Sequence, residues 1–135
     1  MPAVLIDSNV LLDVVTRDAV WLEWSRSTLE RVGEDSVFVI NPLVYAETSV
    51  SFASIEELDE ALPAELYRRE ELPYQAAFLA GKVFEEYRRR GGARRSQMPD
   101  FYIGAHALLA GYRLLTREAR RYRTYFPRLE LIAPS

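Results

Sequence analysis

Short apolar runs alternate with longer helical segments along most of the chain, and this alternation restricts the fold more than any other feature. The segments between the runs carry apolar residues at helical spacing. Strands that alternate with helices are typical of an α/β fold with a small, mostly parallel sheet that helices cover. Four runs have the length and the composition of buried strands: Ala3–Ile6, Ser36–Ile40, Tyr112–Thr116 and Leu129–Ala133.

The helix predictions rest on the apolar period and on residues that begin or end helices. Ser54, followed by Glu57 three residues later, predicts a capped helix start. Gly91-Gly92 is typical of a helix end rather than of a phosphate-binding loop. The predicted helices cover Val10–Val15, Ala19–Val32, Leu43–Phe52, a segment from Ser54 to Pro63, Tyr74–Arg90 and a segment that opens at Pro99.

Length and composition narrow the class of protein. A chain of 135 residues has the size of one domain, which we expect to span residues 1–135. The absence of Cys excludes disulfides and thiolate metal sites. No apolar run approaches the roughly 20 residues that cross a bilayer, and the first residues lack the pattern of a signal peptide. The sequence therefore leads us to expect a soluble cytoplasmic protein without a membrane segment.

Four carboxylates lie just after predicted strands or in the first turns of helices: Asp7, Glu47, Asp100 and Glu118. The carboxyl ends of parallel strands share one edge of a sheet, so these acids could converge there. Two carboxylates about 4 Å apart repel each other by roughly 4 kcal/mol at an effective dielectric of 20. Convergence therefore requires protonation or a cation. Oxygen ligands suit Mg²⁺ or Mn²⁺, which assist phosphodiester hydrolysis.

Helix capping is the alternative interpretation for two of these acids. Asp is a good N-cap, and an acid in a first turn suits the helix dipole, so Asp7 and Asp100 could serve those purposes alone. Glu47 is harder to explain in this way. It is the only charged residue in the stretch LVYAETSVSF, and a lone buried charge is unfavourable without a partner.

The basic residues concentrate in the second half of the chain although the net charge is −3. The segment 117–128 interleaves Arg with aromatic residues, a pattern that single-stranded RNA recognition uses. The alternatives are that the arginines are a solvated surface and that Phe126 packs under the last strand. The segment Arg88–Arg95 is either a solvated helix end or a basic lip for RNA. We expect RNA contacts from Arg117, Arg120, Arg121 and Arg123.

Two further features have structural explanations by default. His106 is the only His in the chain, and we expect a hydrogen-bonded helix residue rather than a catalyst. Trp21 and Trp24 form an apolar cluster that predicts core packing, with an exposed groove or a dimer surface as the alternative.

Three stretches together resemble the PIN-domain ribonucleases, and specifically the VapC-type toxins of toxin–antitoxin pairs. LIDSNVLLDV is similar to the first motif of that family and NPLVYAET to the second. MPDFYIGAHALLAGYRLLTREARRYRTYFP is similar to the third and fourth motifs run together. The resemblance extends from Val4 to Pro134. It implies a three-layer α/β/α domain with Mg²⁺ or Mn²⁺ in an acidic pocket.

By position in these motifs, the resemblance implies that Asp7, Glu47 and Asp100 are the core catalytic and metal-binding acids. Glu118 stands where the family often has Asp, so it is expected to assist them at the metal, directly or through water. Small polar residues beside the acids are expected to hold carboxylates and waters in place. These are Ser8, Asn9 and Thr116.

The resemblance implies a metal-dependent endoribonuclease that cleaves cellular RNA (tRNA, rRNA or mRNA) as the toxin of a VapBC-type pair. Its implied partners are RNA, a VapB-like antitoxin and a second copy of the chain. The alternative is a catalytically degraded PIN-like module that binds RNA or protein. A signalling receiver would need a Lys near a late strand, but Lys82 lies within a predicted helix. An aspartyl phosphatase would have Asp at the position of Asn9.

Overall fold

The computed structural model describes residues 1–92 and 98–135. Every neighbouring pair of strands in its sheet is parallel, and the strand order is β3-β2-β1-β4-β5. The helices make this a three-layer α/β/α arrangement, so the predicted fold class is confirmed. The strands are β1 (Ala3–Ile6), β2 (Val37–Ile40), β3 (Tyr67–Arg69), β4 (Arg113–Leu115) and β5 (Leu131–Ile132).

Seven helices connect these strands within the described residues. Ser54 accepts a hydrogen bond from the backbone N–H of Glu57 (3.2 Å), as the capping pattern predicts. Gly91 has a φ of +85°, which glycine adopts without strain and which ends the longest helix as predicted. The helices are α1 (Ser8–Val15), α2 (Leu22–Gly33), α3 (Pro42–Ser49), α4 (Ile55–Ala61), α5 (Tyr74–Arg89), α6 (Met98–Ala110) and α7 (Ala119–Tyr125).

Strand β3 and helix α7 are not among the elements that the sequence predicts. Strand β3 lies at the edge of the sheet, pairs with β2, and has the sequence Tyr67-Arg68-Arg69. Because both arginines are exposed, no apolar run marks this strand. Helix α7 is short and rich in arginine, so its composition suggested only a basic segment.

The core lies on both faces of the central strands. Val4, Leu5 and Ile6 of β1 are fully buried. The ring of Phe126 is buried and lies so close to Gly104 of α6 that a Cβ there would come within 2.7 Å of it. This burial agrees with a packing role for Phe126, and the contact shown is with α6. Trp21 and Trp24 are only half-buried, and their rings meet edge to face at 6.1 Å.

The strand order places a topological switch beside β1. The chain builds β1, β2 and β3 outward in one direction, and then returns to place β4 and β5 on the other side of β1. In sheets of this kind, ligands bind at the carboxyl ends of the strands where the order reverses. Asp7 directly follows β1 and Thr116 directly follows β4, so both residues lie at that switch.

The predicted basic segment Arg88–Arg95 is only partly described. Glu86 forms ion pairs with Arg89 (2.9 Å) and Arg90 (2.8 Å) at the end of α5. Residues 93–97 lie outside the described residues. Within residues 1–92 and 98–135, no helix combines the length and the apolar character that a bilayer crossing requires.

Candidate active site

Asp7 is a buried carboxylate that accepts three side-chain hydrogen bonds. It is 2% exposed, and its Oδ2 atom accepts from the hydroxyls of Thr116 (2.8 Å) and Tyr122 (3.0 Å) and from the amide of Asn9 (3.3 Å). Asp7 occupies the N-cap position of α1, but its side chain caps no backbone N–H. Capping therefore does not explain why this carboxylate is buried here.

Glu47 lies on α3 and faces the start of α1. The Ser8 hydroxyl donates a hydrogen bond of 2.7 Å to Oε1 of Glu47. Helix α3 begins at the end of β2 because Asn41 caps it, accepting from the backbone N–H of Val44 (3.0 Å), and because Pro42 suits the first turn. The helix start thus places Glu47 about one and a half turns into α3.

Asp100 lies in the first turn of α6, and Arg121 of α7 contacts it. The guanidinium donates from Nη1 to Oδ2 of Asp100. Within the described residues, Arg121 is the only basic side chain that forms an ion pair with Asp7, Glu47 or Asp100. We call these three acids the acidic edge. It has three carboxylates and one neighbouring cation.

Burial is the main cause that raises the pKa of all three groups. Burial, together with the charges of Asp100 and Glu47, raises the pKa of Asp7 to about 7 despite the hydrogen bonds that lower it. Burial also raises the pKa of Glu47, and the Asp100 charge adds to that effect. Burial raises the pKa of Asp100 even though Arg121 opposes it. The acidic edge therefore holds its charge at a cost in free energy.

A hard divalent cation fits the donors of the acidic edge. All of them are oxygen atoms, which Mg²⁺ and Mn²⁺ prefer, and a cation would offset the repulsion between the carboxylates. In the described part of the chain, no three acidic or histidine side chains are already close enough to enclose a metal. Mg²⁺ needs no such enclosure, since it keeps several waters and uses one or two protein carboxylates.

The structure places Glu118 beside the acidic edge but largely in solvent. Its side chain is 56% exposed and accepts from Arg117 (3.3 Å), while its charge still raises the pKa of Asp100. The Nε atom of Arg117 donates to the buried Asp13 (2.8 Å). Arg117 thus contacts a buried carboxylate rather than open surface, whereas Arg120 and Arg123 are exposed on α7.

Thr116 Oγ1 and the side-chain oxygen of Asn9 accept the hydrogen bonds that hold the polar residues around Asp7 in place. Thr116 Oγ1 donates to Asp7 and accepts from the backbone N–H of Glu118 (3.0 Å) and from the Asn9 amide (3.3 Å). The Asn9 side-chain oxygen in turn accepts from the backbone N–H of Arg117 (3.3 Å). These bonds tie the end of β4 to the start of α1 and fix the Asp7 carboxylate between them.

Sequence reasoning missed Tyr122, which is fully buried and donates its hydroxyl hydrogen to Asp7. Burial, followed by the nearby Asp7 charge, raises the pKa of the Tyr122 phenol well above its ordinary value, so the phenol remains a donor. The spacing carried a signal, since Tyr122 lies one helical turn after Glu118 and so on the same side of α7. The arginines around it masked that signal.

His106 belongs to a second polar cluster. It is buried, its Nδ1 lies 3.0 Å from the Asn41 amide nitrogen, and its Nε2 lies 3.2 Å from Glu70, which confirms a hydrogen-bonded helix residue. Since the Asn41 oxygen accepts from the backbone, its amide donates to Nδ1, and Nε2 donates to Glu70. Glu70 also accepts from the Tyr112 hydroxyl (2.6 Å) and pairs with Arg68 (3.1 Å). We call these five residues the Glu70 network.

Comparisons with known proteins agree with this fold. A family model described as the PIN domain matches residues 4–127. A search of curated proteins returned no significant match.

Several solved structures share the fold. A chain in the VapBC2 structure from Rickettsia felis, bound to a promoter DNA fragment, superimposes with a TM-score of 0.73 at 16% identity, covering 98% of this chain and 99% of that one. A chain of VapBC-1 from Haemophilus influenzae gives 0.73 at 18% identity, with 97% of each chain covered. A toxin–antitoxin complex from Klebsiella pneumoniae gives 0.72 at 18% identity, with 98% of each covered. At these identities the likeness establishes the fold.

Proposed function

Because the chain belongs to the PIN-domain family, we propose that it is a metal-dependent endoribonuclease and the toxin of a VapBC-type toxin–antitoxin pair. PIN domains are generally nucleases and typically use divalent metals. The observation that carries the proposal is the acidic edge, where three carboxylates with raised pKa values lie at the topological switch of the sheet. Such a site gains stability from a bound cation.

In this proposal Asp7, Glu47 and Asp100 hold Mg²⁺ or Mn²⁺, and Glu118 assists from the solvent side. The metal supplies a water of lowered pKa and stabilises charge on the phosphate. The protein fixes the ligands: Thr116, Tyr122 and Asn9 hold Asp7, and Ser8 holds Glu47. Such supporting contacts typically change metal affinity or activity by about 10- to 100-fold.

The proposed substrate is cellular RNA in the cytoplasm. Helix α7 carries the exposed Arg120 and Arg123 next to the acidic edge, where they would pair with backbone phosphates. Arg117 is already engaged by Asp13, so its main contribution would be to fix the loop that leads to Glu118. Arg121, the fourth predicted RNA contact, pairs with Asp100.

The proposed partners are a VapB-like antitoxin and a second copy of the chain. The solved structures that share nearly the full length of this fold include toxin–antitoxin complexes, which supports an antitoxin. Two large apolar side chains one turn apart on α5, Tyr74 and Phe78, are 92% and 71% exposed, which is compatible with a protein interface. Co-purification with the protein encoded next to it, followed by a mass measurement of each species, tests both partners.

Cleavage of a small-RNA pool by the purified protein tests the activity. We expect discrete fragments with Mn²⁺ or Mg²⁺ and none with EDTA or with Asp100→Asn. Asp35→Asn is the matched control, because Asp35 is exposed just before β2, at the opposite edge of the sheet. This variant should cleave RNA normally. Metal binding without cleavage would contradict the nuclease proposal and favour the degraded binding module.

A further inference from the structure

Arg121 is held beside the acidic edge by the fold of its own helix. Its neighbour Tyr122 is fully buried and donates to Asp7, which anchors α7 against the carboxyl end of β1. This anchor presents Arg121 to Asp100 across the space between α7 and α6. The two side chains are 32% and 24% exposed, so the ion pair is partly shielded from water.

The contact occupies one of the two carboxylate oxygens that Asp100 could offer to the proposed metal. Arg121 donates to Oδ2 of Asp100, and no other basic side chain in the described residues pairs with an acid of the acidic edge. A guanidinium carries one positive charge and a divalent cation carries two. Both satisfy the same carboxylate, so they compete for it. Arg121 can leave because its long side chain has several rotatable bonds and reaches solvent from α7.

We propose that Arg121 is an internal counter-ion that occupies Asp100 in the metal-free protein and is displaced when a divalent cation binds. This inference rests on the proposed metal-dependent function and adds that Arg121 sets how tightly the divalent cation binds. In the metal-free state the ion pair offsets part of the repulsion among the three carboxylates. When the metal arrives it takes over that task, and Arg121 moves away from Asp100.

Arg123 is a suitable matched control. It lies on the same helix, two residues further on, is exposed, and makes no ion pair among the described residues. Replacing either arginine by Gln removes one positive charge from α7, and so both variants reduce long-range repulsion of the metal alike. Only Arg121→Gln also removes the direct competitor at Asp100.

The test is a Mn²⁺ titration of the full chain, with free Mn²⁺ followed by electron paramagnetic resonance at pH 7.5 and low salt. We expect Arg121→Gln to bind Mn²⁺ about fivefold more tightly than the unaltered protein, as the loss of a partly exposed competing ion pair implies. Arg123→Gln should stay within about twofold. Arg121→Lys, which keeps the charge but not the fork-shaped donor, should fall between them.

Three results would overturn the inference, and they can be distinguished from one another. Equal or weaker Mn²⁺ binding by Arg121→Gln, with binding by the unaltered protein intact, would overturn the counter-ion exchange alone. Tightening of the same size in Arg123→Gln would do so as well, since it would trace the effect to net charge. Absence of Mn²⁺ binding in all variants would overturn the proposed metal-dependent function, and with it this inference. Far-ultraviolet circular dichroism of each variant confirms that the folds are comparable.

Discussion

Asp7 and Glu70 each directly follow a parallel strand, but the two carboxylates have opposite surroundings. Glu70 accepts from Tyr112 and His106 and pairs with Arg68; these partners hold its pKa below the ordinary value, although burial alone would raise it. Asp7 accepts hydrogen bonds too, but its burial, together with the charges of Asp100 and Glu47, raises its pKa to about 7. The Glu70 network is neutralised by the protein itself, whereas the acidic edge is short of positive charge.

The difference separates structural from functional carboxylates. A strand end places an acid at the ligand-binding edge of the sheet, but its partners decide what it does there. In the Glu70 network every charge is matched, which links β3 to β4 and α6 without a ligand. At the acidic edge the missing charge marks the place that we propose for an external cation.

The largest expected difference between Asp7 and Glu70 is in RNA cleavage. We expect Asp7→Asn to reduce RNA cleavage by at least about 1,000-fold, since it removes a proposed metal-binding carboxylate and with it several kcal/mol of transition-state stabilisation. Glu70→Gln, the matched substitution in the Glu70 network, should stay within about threefold after correction for the folded fraction. Single-turnover cleavage of a labelled RNA measures both. Comparable losses in the two variants would contradict the distinction.

The pH dependence of stability also distinguishes the two carboxylates, because the shifted pKa values of Asp7 and Glu70 change the free energy of unfolding in opposite directions as the pH rises. Between about pH 4 and pH 7, metal-free folded protein keeps a proton on Asp7 that the unfolded chain has released, so the free energy of unfolding falls as the pH rises. From an ordinary value of 3.8 to about 7, the fall reaches roughly 4 kcal/mol at most. Asp7→Asn should remove this fall in urea unfolding at pH 5, 6, 7 and 8.

Glu70 should change the free energy of unfolding with pH in the direction opposite to Asp7. Its lowered pKa contributes stability that is present above the ordinary value of 4.5 and is lost as the pH falls through the folded value. An Asp7→Asn profile that keeps the fall between pH 5 and pH 8 would count against the raised pKa of Asp7.

The next effect concerns the Glu70 network alone. We expect Glu70→Gln to lower the free energy of unfolding by about 2 kcal/mol at pH 7, because it removes an ion pair and a charged acceptor for two hydrogen bonds. Urea unfolding with the slope checked against the unaltered protein measures the change. A loss below about 0.5 kcal/mol would show that the network contributes little to stability.

The smallest effect probes the support of Glu47. Ser8→Ala removes the 2.7 Å hydrogen bond to that carboxylate. We expect about tenfold slower cleavage, as is typical when a group that orients a metal ligand is lost. Ser49→Ala is the control. Ser49 lies on the same helix as Glu47, but its hydroxyl donates to the backbone carbonyl of Ala46, so this variant should cleave normally. Unchanged cleavage by Ser8→Ala would show that Ser8 does not orient Glu47 for the reaction.

Much of this architecture could be predicted from local sequence, and the rest depends on long-range contacts. Four strands were predicted because apolar β-branched runs mark buried strands, whereas the exposed arginines of β3 leave no such mark. The acids of the acidic edge could be proposed because strand ends and helix starts are visible in the sequence. The donors to Asp7 could not all be found this way: Tyr122 lies 115 residues away and approaches Asp7 only through the folding of α7.

The arginines show the same limit. Composition cannot distinguish an arginine that binds RNA from one that neutralises an acid of its own chain. Arg117 and Arg121 both pair with carboxylates more than 20 residues away in sequence, on α1 and α6. Only the packing of those helices against the segment 117–125 reveals these pairs.

The most direct test of the missing charge at the acidic edge is thermal unfolding at pH 8 with and without Mg²⁺. A ligand present at about 100 times its dissociation constant stabilises the folded state by roughly 2.7 kcal/mol. The unaltered protein should therefore unfold several degrees higher with Mg²⁺, and Asp7→Asn should gain little. Equal unfolding temperatures with and without Mg²⁺, or an equal gain in Asp7→Asn, would contradict the account.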